Sequence, residues 1–291
     1  MARNEAKERR CILKFEEVSL QFDQADPVLD KVSFEIWSGE TRIILGAAGS
    51  GKTVMMKIAL GLLKASSGRV SVMGQDVTNF DERQWYEVRS HIGVLFQEGG
   101  LFDSLTIEEN VAYPLLNQAR FMTDGKKPTL DTVRPDVQEA LNFVELGNTL
   151  NKFPSELSGG MRRRVGIARG SVADPDLFLY DSPTAGLDPI TANTIIALLI
   201  KDREMRNTTA AIITHRFQDG HLLANFRYNP EKDRLERLPA NSPLRERTKF
   251  MVMKEGRLVF EGPETELDAS VDPYISKFSM HPAQNPERKV S

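Results

Sequence analysis

Apolar residues in this chain fall into short runs separated by glycine, proline and charged residues, and the spacing inside each run predicts its element. The alternation over residues 12–35 predicts antiparallel strands, including a strand segment at 18–22. Ile43, Ile44 and Leu45 form an unbroken run that reads as a buried strand, after which Val54, Met55, Ile58, Ala59 and Leu62 recur at helical spacing. Val70, Val72 and Met73 predict a short β segment. Further strands are expected at 92–96, 177–181 and 210–214. Residues from about 88 to 160 hold several helices and suit a helical subdomain inserted into the core. Two late hairpins follow. In the first, Phe226 and Tyr228 face Leu235 and Leu238 across a polar turn; in the second, 250–253 pairs with 258–260 around Glu255-Gly256.

These elements predict an α/β chain with a mixed sheet core, an antiparallel β subdomain and the inserted helical subdomain. Three parts are expected: a charged lead at 1–11, one large domain at 12–265, and a C-terminal extension at 266–291. The hairpin at 225–247 would decorate the large domain. In the extension, Tyr274, Ile275 and Phe278 form an apolar stripe that would dock on its own core or reach across to a second copy.

Composition narrows the class. At 291 residues and 40% hydrophobic, the chain can bury a large core. A net charge of −3 gives no sign of a nucleic-acid partner. The single cysteine, Cys11, excludes an internal disulfide framework and suits a reducing compartment. The longest apolar run, 195–200, has six residues, far short of the ~18 a spanning helix needs. The charged N-terminal residues lack the apolar centre of a signal peptide. The expected location is cytoplasmic, and any membrane span would come from other subunits.

Gly46-Ala47-Ala48-Gly49-Ser50-Gly51-Lys52-Thr53 fits the phosphate-loop pattern G-x-x-x-x-G-K-[ST] and lies between a predicted strand and a predicted helix. Its glycines let backbone N–H groups turn toward phosphates, and the helix N-terminus adds positive potential. This is the mark of a P-loop NTPase. Lys52 would bridge the β- and γ-phosphates of ATP, and Thr53 would offer its hydroxyl to Mg²⁺. Asp181 closes an apolar strand, as the Mg²⁺-holding acid of such a site should. Gln97 follows the strand at 92–96 and suits a ligand of Mg²⁺ and water; His215 follows the strand at 210–214 and could reach the γ-phosphate. Phe22 is a candidate to stack on adenine, or an ordinary core aromatic.

Leu157-Ser158-Gly159-Gly160 precedes a helix starting near Met161. Ser158, Gly159 and Gly160 leave backbone N–H groups free at the positive end of a helix dipole, which suits a second jaw closing on the γ-phosphate of ATP held by another copy. Arg162, Arg163 and Arg164 place cations where that dipole disfavours them; a solvated face accounts for at least one, with a contact to ATP or an acidic partner open for the rest. Ala185-Gly186-Leu187-Asp188 supplies a loop that would cross between two copies related by a two-fold axis.

With these motifs in this order, the chain resembles the ABC-transporter ATPases over roughly residues 12–265. Within them it is most similar to the MlaF/Mkl group, ATPases of MCE-type lipid transport systems. That narrower likeness rests on the stretches 95–102, 109–115 and 154–161, including Met161 after the glycines. The resemblance implies a homodimer bound to an MlaE-like permease and an MCE-domain protein, peripheral on the cytoplasmic face of a bacterial inner membrane and moving phospholipid. The alternatives are the ATPase of a solute importer and a non-transport ABC protein. Leu101, Phe102, Leu105, Val111 and Tyr113, flanked by Asp103, Glu108 and Glu109, would form either subdomain core or a groove for a helix of the permease.

One residue departs from the family pattern. The position after the Walker B Asp181 is normally a Glu that handles the attacking water, and here it is Ser182. Serine cannot act as a carboxylate base, an assistance typically worth about 10²–10⁴-fold. Glu98 could supply the carboxylate instead, the chain could be a slow, ATP-gated clamp, or a second ATPase could complete the site.

Overall fold

The computed structural model describes residues 10–22, 26–97, 99–122 and 126–279. Its N-terminal part carries strands β1 (Cys11–Leu20), β2 (Leu29–Trp37) and β3 (Thr41–Gly46), helix α1 (Lys52–Ala59), strands β4 (Ser67–Val72) and β5 (Gln75–Asp76), helix α2 (Glu82–Arg89) and strand β6 (Ile92–Leu95). Helices α3 (Ile107–Asn117), α4 (Leu130–Phe143) and α5 (Gly159–Ser171) follow, then strand β7 (Leu177–Asp181), helix α6 (Pro189–Arg206), strand β8 (Thr209–Ile213) and helix α7 (Phe217–Asn225). The chain continues through hairpin strands β9 (Phe226–Asn229) and β10 (Arg234–Arg237), strands β11 (Thr248–Lys254) and β12 (Arg257–Gly262), and helix α8 (Glu264–Asp268).

A six-stranded sheet in the order β12-β11-β3-β8-β7-β6 forms the centre. Its five inner pairings are parallel except for β12, which runs antiparallel to β11. The sheet is buried on both faces, and its side chains divide by strict alternation between two apolar clusters. Ile43 and Leu45, Phe178 and Tyr180, Ala210 and Ile212, and Phe250 and Val252 face one cluster with helices α3 to α7. Ile44, Leu177 and Leu179, Ala211 and Ile213, and Met251 and Met253 face the other, built from β1, β2, β4, α1 and α2. The second layer is the four-stranded antiparallel sheet β2-β1-β4-β5. The expected α/β architecture with an added antiparallel sheet is therefore the one observed.

Local chemistry sets the helix ends. Asp81 and Gln84 form a reciprocal capping box on α2, and Thr106 and Glu109 form another on α3. Asp188 accepts from Ile190 N and Thr191 N at 3.0 Å each, and Pro189 opens α6 where no backbone donor is needed. Helix α1 is shorter than its apolar spacing suggests: it ends at Ala59, Gly61 turns the chain at φ 64, and Leu62 is left exposed.

Both late hairpins are present. Phe226 and Tyr228 of β9 and Leu235 of β10 pack against the helical cluster, with Lys201 of α6 5.0 Å from the centre of the Tyr228 ring. In the tail, α8 runs across position 265, its Leu267 fully buried, and a 3₁₀ turn at Ile275–Phe278 follows, with Ile275 buried. The apolar stripe thus docks on the chain's own core. Among the described residues no helix is long and apolar enough to cross a membrane.

Phe178 lies at the centre of this packing. It stacks on Tyr180 at 4.0 Å, is fully buried, and its ring fills the space where a side chain at Gly170 would begin. Replacing Phe178 with Ala is expected to cost about 3–5 kcal/mol of unfolding free energy; a urea titration showing a much smaller loss would contradict this packing.

Candidate functional site

The parallel strands all end on one edge of the central sheet, and that edge carries the predicted chemistry. Strand β3 runs directly into the phosphate loop, and β7 delivers Asp181 beside Ile213 of β8. His215 lies two residues beyond that pairing and is exposed. Gln97 lies two residues beyond Leu95, which pairs with Tyr180, and is also exposed. Glu98 lies outside the described residues.

The phosphate loop closes on itself. Gly51 precedes α1 with φ 95, a left-handed conformation, and a side chain there would come within 2.8 Å of the Val28 carbonyl. Lys52 is buried, and its ammonium donates to Gly46 O at 2.9 Å, Ala47 O at 2.7 Å and Ser50 Oγ at 3.1 Å. Burial lowers its pKa, while the charge of Asp181 pulls it back up. These neutral acceptors hold the cation where an anion would be a stronger partner.

Asp181 sits against this loop, 6% exposed. One carboxylate oxygen accepts from Thr53 Oγ1 at 3.2 Å and the other from Ser182 Oγ at 3.1 Å. A hydroxyl beside a single carboxylate is a hard-oxygen donor set, which suits Mg²⁺, an ion that keeps several of its own waters. Among the described residues no cluster of three or more acids, histidines or cysteines could hold a metal by itself. Ser182 is held in the left-handed region at φ 52, with its N–H donating to Ile213 O at 2.8 Å. Such a conformation is strained for a non-glycine residue and persists only where the surroundings enforce it.

Arg163 is one of those surroundings. It is buried, and its guanidinium donates to Ser182 O at 2.7 Å and Ala185 O at 2.9 Å. Arg162 likewise donates to Leu157 O at 2.6 Å, and Arg164 to Val144 O at 3.1 Å. The expected solvated face is not what forms: each of the three arginines holds a backbone carbonyl, which offsets the unfavourable helix-dipole position. Periodicity could not show the contacts of Arg163 and Arg164, because their carbonyls lie about twenty residues away in sequence.

The Ser158-Gly159-Gly160 element opens α5, where Ser158 Oγ accepts from Met161 N at 3.3 Å. Ser158 and Gly159 are exposed. Gly160 is buried against α6, and a side chain there would meet Thr191 Cγ2 at 2.4 Å. No hydrogen bond or ion pair joins this element to the phosphate loop among the described residues, and Met161 N and Arg162 N are satisfied by Ser158 itself.

Phe22 lies past the end of β1 rather than within a strand and is 47% exposed. Val28, just before β2, places its carbonyl against Gly51. The apolar set at the helical layer splits: Val111 is core, whereas Phe102 and Tyr113 are exposed and in contact, their ring centres 4.8 Å apart. The tail adds a residue that the sequence did not single out for this site. Tyr274 Oη accepts from Ala47 N at 3.1 Å and donates to Met253 O at 2.8 Å, tying the C-terminal segment to the phosphate loop.

Residues 29–185 match the family described as ABC transporter. The chain is 37% identical over 188 residues to a probable ribonucleotide transport ATP-binding protein, Mkl, of Mycobacterium leprae, covering 65% of this chain and 52% of that protein. The chain's match thus spans about half the length of the Mkl relatives. It is 33% identical over 211 residues to the intermembrane phospholipid transport system ATP-binding protein MlaF of Haemophilus influenzae, covering 72% of this chain and 77% of that one. A methionine import ATP-binding protein, MetN, of Bifidobacterium longum is 37% identical over 65% of this chain and 45% of its own. Among solved structures, a dimeric ATP-binding cassette in a post-hydrolysis state with ADP and phosphate superposes with a TM-score of 0.70 at 28% identity, over 87% of this chain and 98% of that one. A CbiO subunit from Clostridium perfringens, part of an ABC transporter complex, gives 0.71 at 26% identity, over 96% and 97%. Matching that family over residues 29–185 and sharing the fold of these cassettes, the chain belongs to the ABC transporter family, as an ATP-binding cassette.

Proposed function

We propose that two copies of this chain bind two Mg·ATP molecules between the phosphate loop of one and the Ser158-Gly159-Gly160 element of the other, and that closure drives a membrane permease. The observation that carries this reading is the exposed start of α5 at Ser158 and Gly159. Among the described residues no acid of the same chain is bonded to it, whereas the phosphate loop has a lysine, hydroxyl and acid set. Each half-site lacks what the other copy offers.

In this reading Lys52 exchanges its carbonyl partners for phosphate oxygens. Thr53 and Asp181 hold Mg²⁺, directly or through its waters, and the ion would neutralise charge on the phosphates. Gln97 and His215 follow β6 and β8, the strands on either side of β7, and would reach the nucleotide from that edge, and Phe22 offers an aromatic face to adenine. The catalytic step is hydrolysis of ATP to ADP and phosphate. It is slow by the family's standard, because Ser182 offers a hydroxyl already bonded to Asp181 where a carboxylate would take the proton of water. The cycle is then that of an ATP-gated clamp.

The transported substrate is assigned to phospholipid, in an MCE-type system with an MlaE-like permease and an MCE-domain protein, at the cytoplasmic face of a bacterial inner membrane. Similarity to MlaF over most of both chains supports it. Phe102 and Tyr113 give an exposed aromatic pair for a permease helix. A solute importer is the second reading, favoured by the identity to MetN. Purification from native membranes separates them: an MCE-domain protein and bound phospholipid are expected, and a soluble amino-acid-binding partner in their place would support the importer.

Two substitutions test the site. Lys52→Ala removes the cation that meets the phosphates and is expected to weaken binding of a fluorescent ATP analogue by at least ~10-fold; unchanged affinity would exclude the loop as the nucleotide site. Ser182→Glu, assayed for steady-state turnover with the membrane partner, is expected to raise the rate by about 10²-fold or more. A wild type as fast as the Glu variant would show that another group activates water.

A further inference from the structure

The loop after β7 and the loop after β8 share one buried anion. Asp219, in the first turn of α7, is fully buried. A single oxygen of its carboxylate, Oδ2, accepts from Thr184 Oγ1 at 2.5 Å and from Thr214 Oγ1 at 2.7 Å. Both threonines are themselves buried, at 2% and 1% exposure. Thr214 Oγ1 in turn accepts from Arg216 N at 3.0 Å, so it grips both sides of His215. Among the described residues the other carboxylate oxygen has no hydrogen bond, and Arg216 Nε stands 3.7 Å from it.

Thr184 stands between Ser182 and the interface loop 185–188; Thr214 is the residue before His215. Moving either loop alone would strip a charge-assisted bond from a carboxylate that no water reaches, and an unsatisfied buried charge is among the most costly defects a protein can hold. The two loops are therefore constrained to move together. We propose that Asp219 is a positioning residue that couples the loop bearing Ser182 and the inter-subunit segment to the loop bearing His215, so that closure at the two-copy interface sets the place of the imidazole. This inference rests on the reading of the site as an ATP site.

The test follows His215 directly. The chain has four histidines, so the His215 imidazole proton signal can be assigned by its loss in a His215→Ala protein. In the wild type that signal should shift when a non-hydrolysable ATP analogue is added with Mg²⁺. Thr214→Val keeps the shape and deletes the hydroxyl. It is expected to bind the analogue within about twofold of wild type, to lose the His215 shift, and to turn over ATP about tenfold or more slowly, whereas Thr214→Ser restores shift and rate. Thr184→Val reports from the other arm, and serves if the Thr214→Val protein does not fold. A valine variant that binds the analogue and shows the wild-type shift and rate would overturn the coupling. A wild type that does not bind the analogue would instead overturn the nucleotide reading, and this inference with it.

Discussion

Burial of the central sheet on both faces is the constraint from which the rest of the structure follows. Because β3, β7, β8 and β11 send alternate side chains into two separate cores, none of them can slip by one residue without exchanging its whole apolar set between layers. That register brings the strand ends level. Asp181 arrives beside Ile213, and the phosphate loop leaves β3 at a fixed height next to both. The 3.2 Å contact between Thr53 and Asp181 is then a consequence of sheet register rather than of any local attraction.

The loops on that edge are held less by their own turns than by side chains reaching in from elsewhere. Arg163 grips the carbonyls of Ser182 and Ala185 from α5, Asp219 binds the threonines on either side, and Tyr274 braces Ala47 and Met253 from the tail. The helix that begins at Ser158-Gly159-Gly160 is the same helix that fixes the Ser182 loop, through two hydrogen bonds from Arg163. Ser182, in its left-handed conformation, is held directly by Arg163 and by Ile213 O.

The sequence announced the parts whose chemistry is local. The phosphate loop, Asp181 at its strand end and the helix that starts after Ser158 each depend on residues within a few positions of one another, so spacing alone revealed them. The sheet was legible for the same reason: runs such as 177–181 are too apolar for anything but a strand buried on both sides. What spacing could not show were contacts between distant segments. Of the three arginines after Met161, at least one looked solvated and the rest were left open to ATP or an acidic partner, because the carbonyls that Arg163 and Arg164 hold lie in other loops. Asp219 belongs to no local motif, and Val111 could not be separated from exposed Tyr113 two residues on. Leu62 fitted the helical period, yet the chain leaves the helix at Gly61, where a positive φ overrides the pattern.

The central claim is that each copy holds half of an ATP site and that two copies complete it. Sedimentation equilibrium with Mg²⁺ and a non-hydrolysable ATP analogue tests this most directly, on the wild type and on Ser158→Arg. The account predicts an analogue-dependent dimer for the wild type, and a Ser158→Arg protein that binds the analogue yet stays monomeric. Equal dimerisation of the two proteins would contradict it.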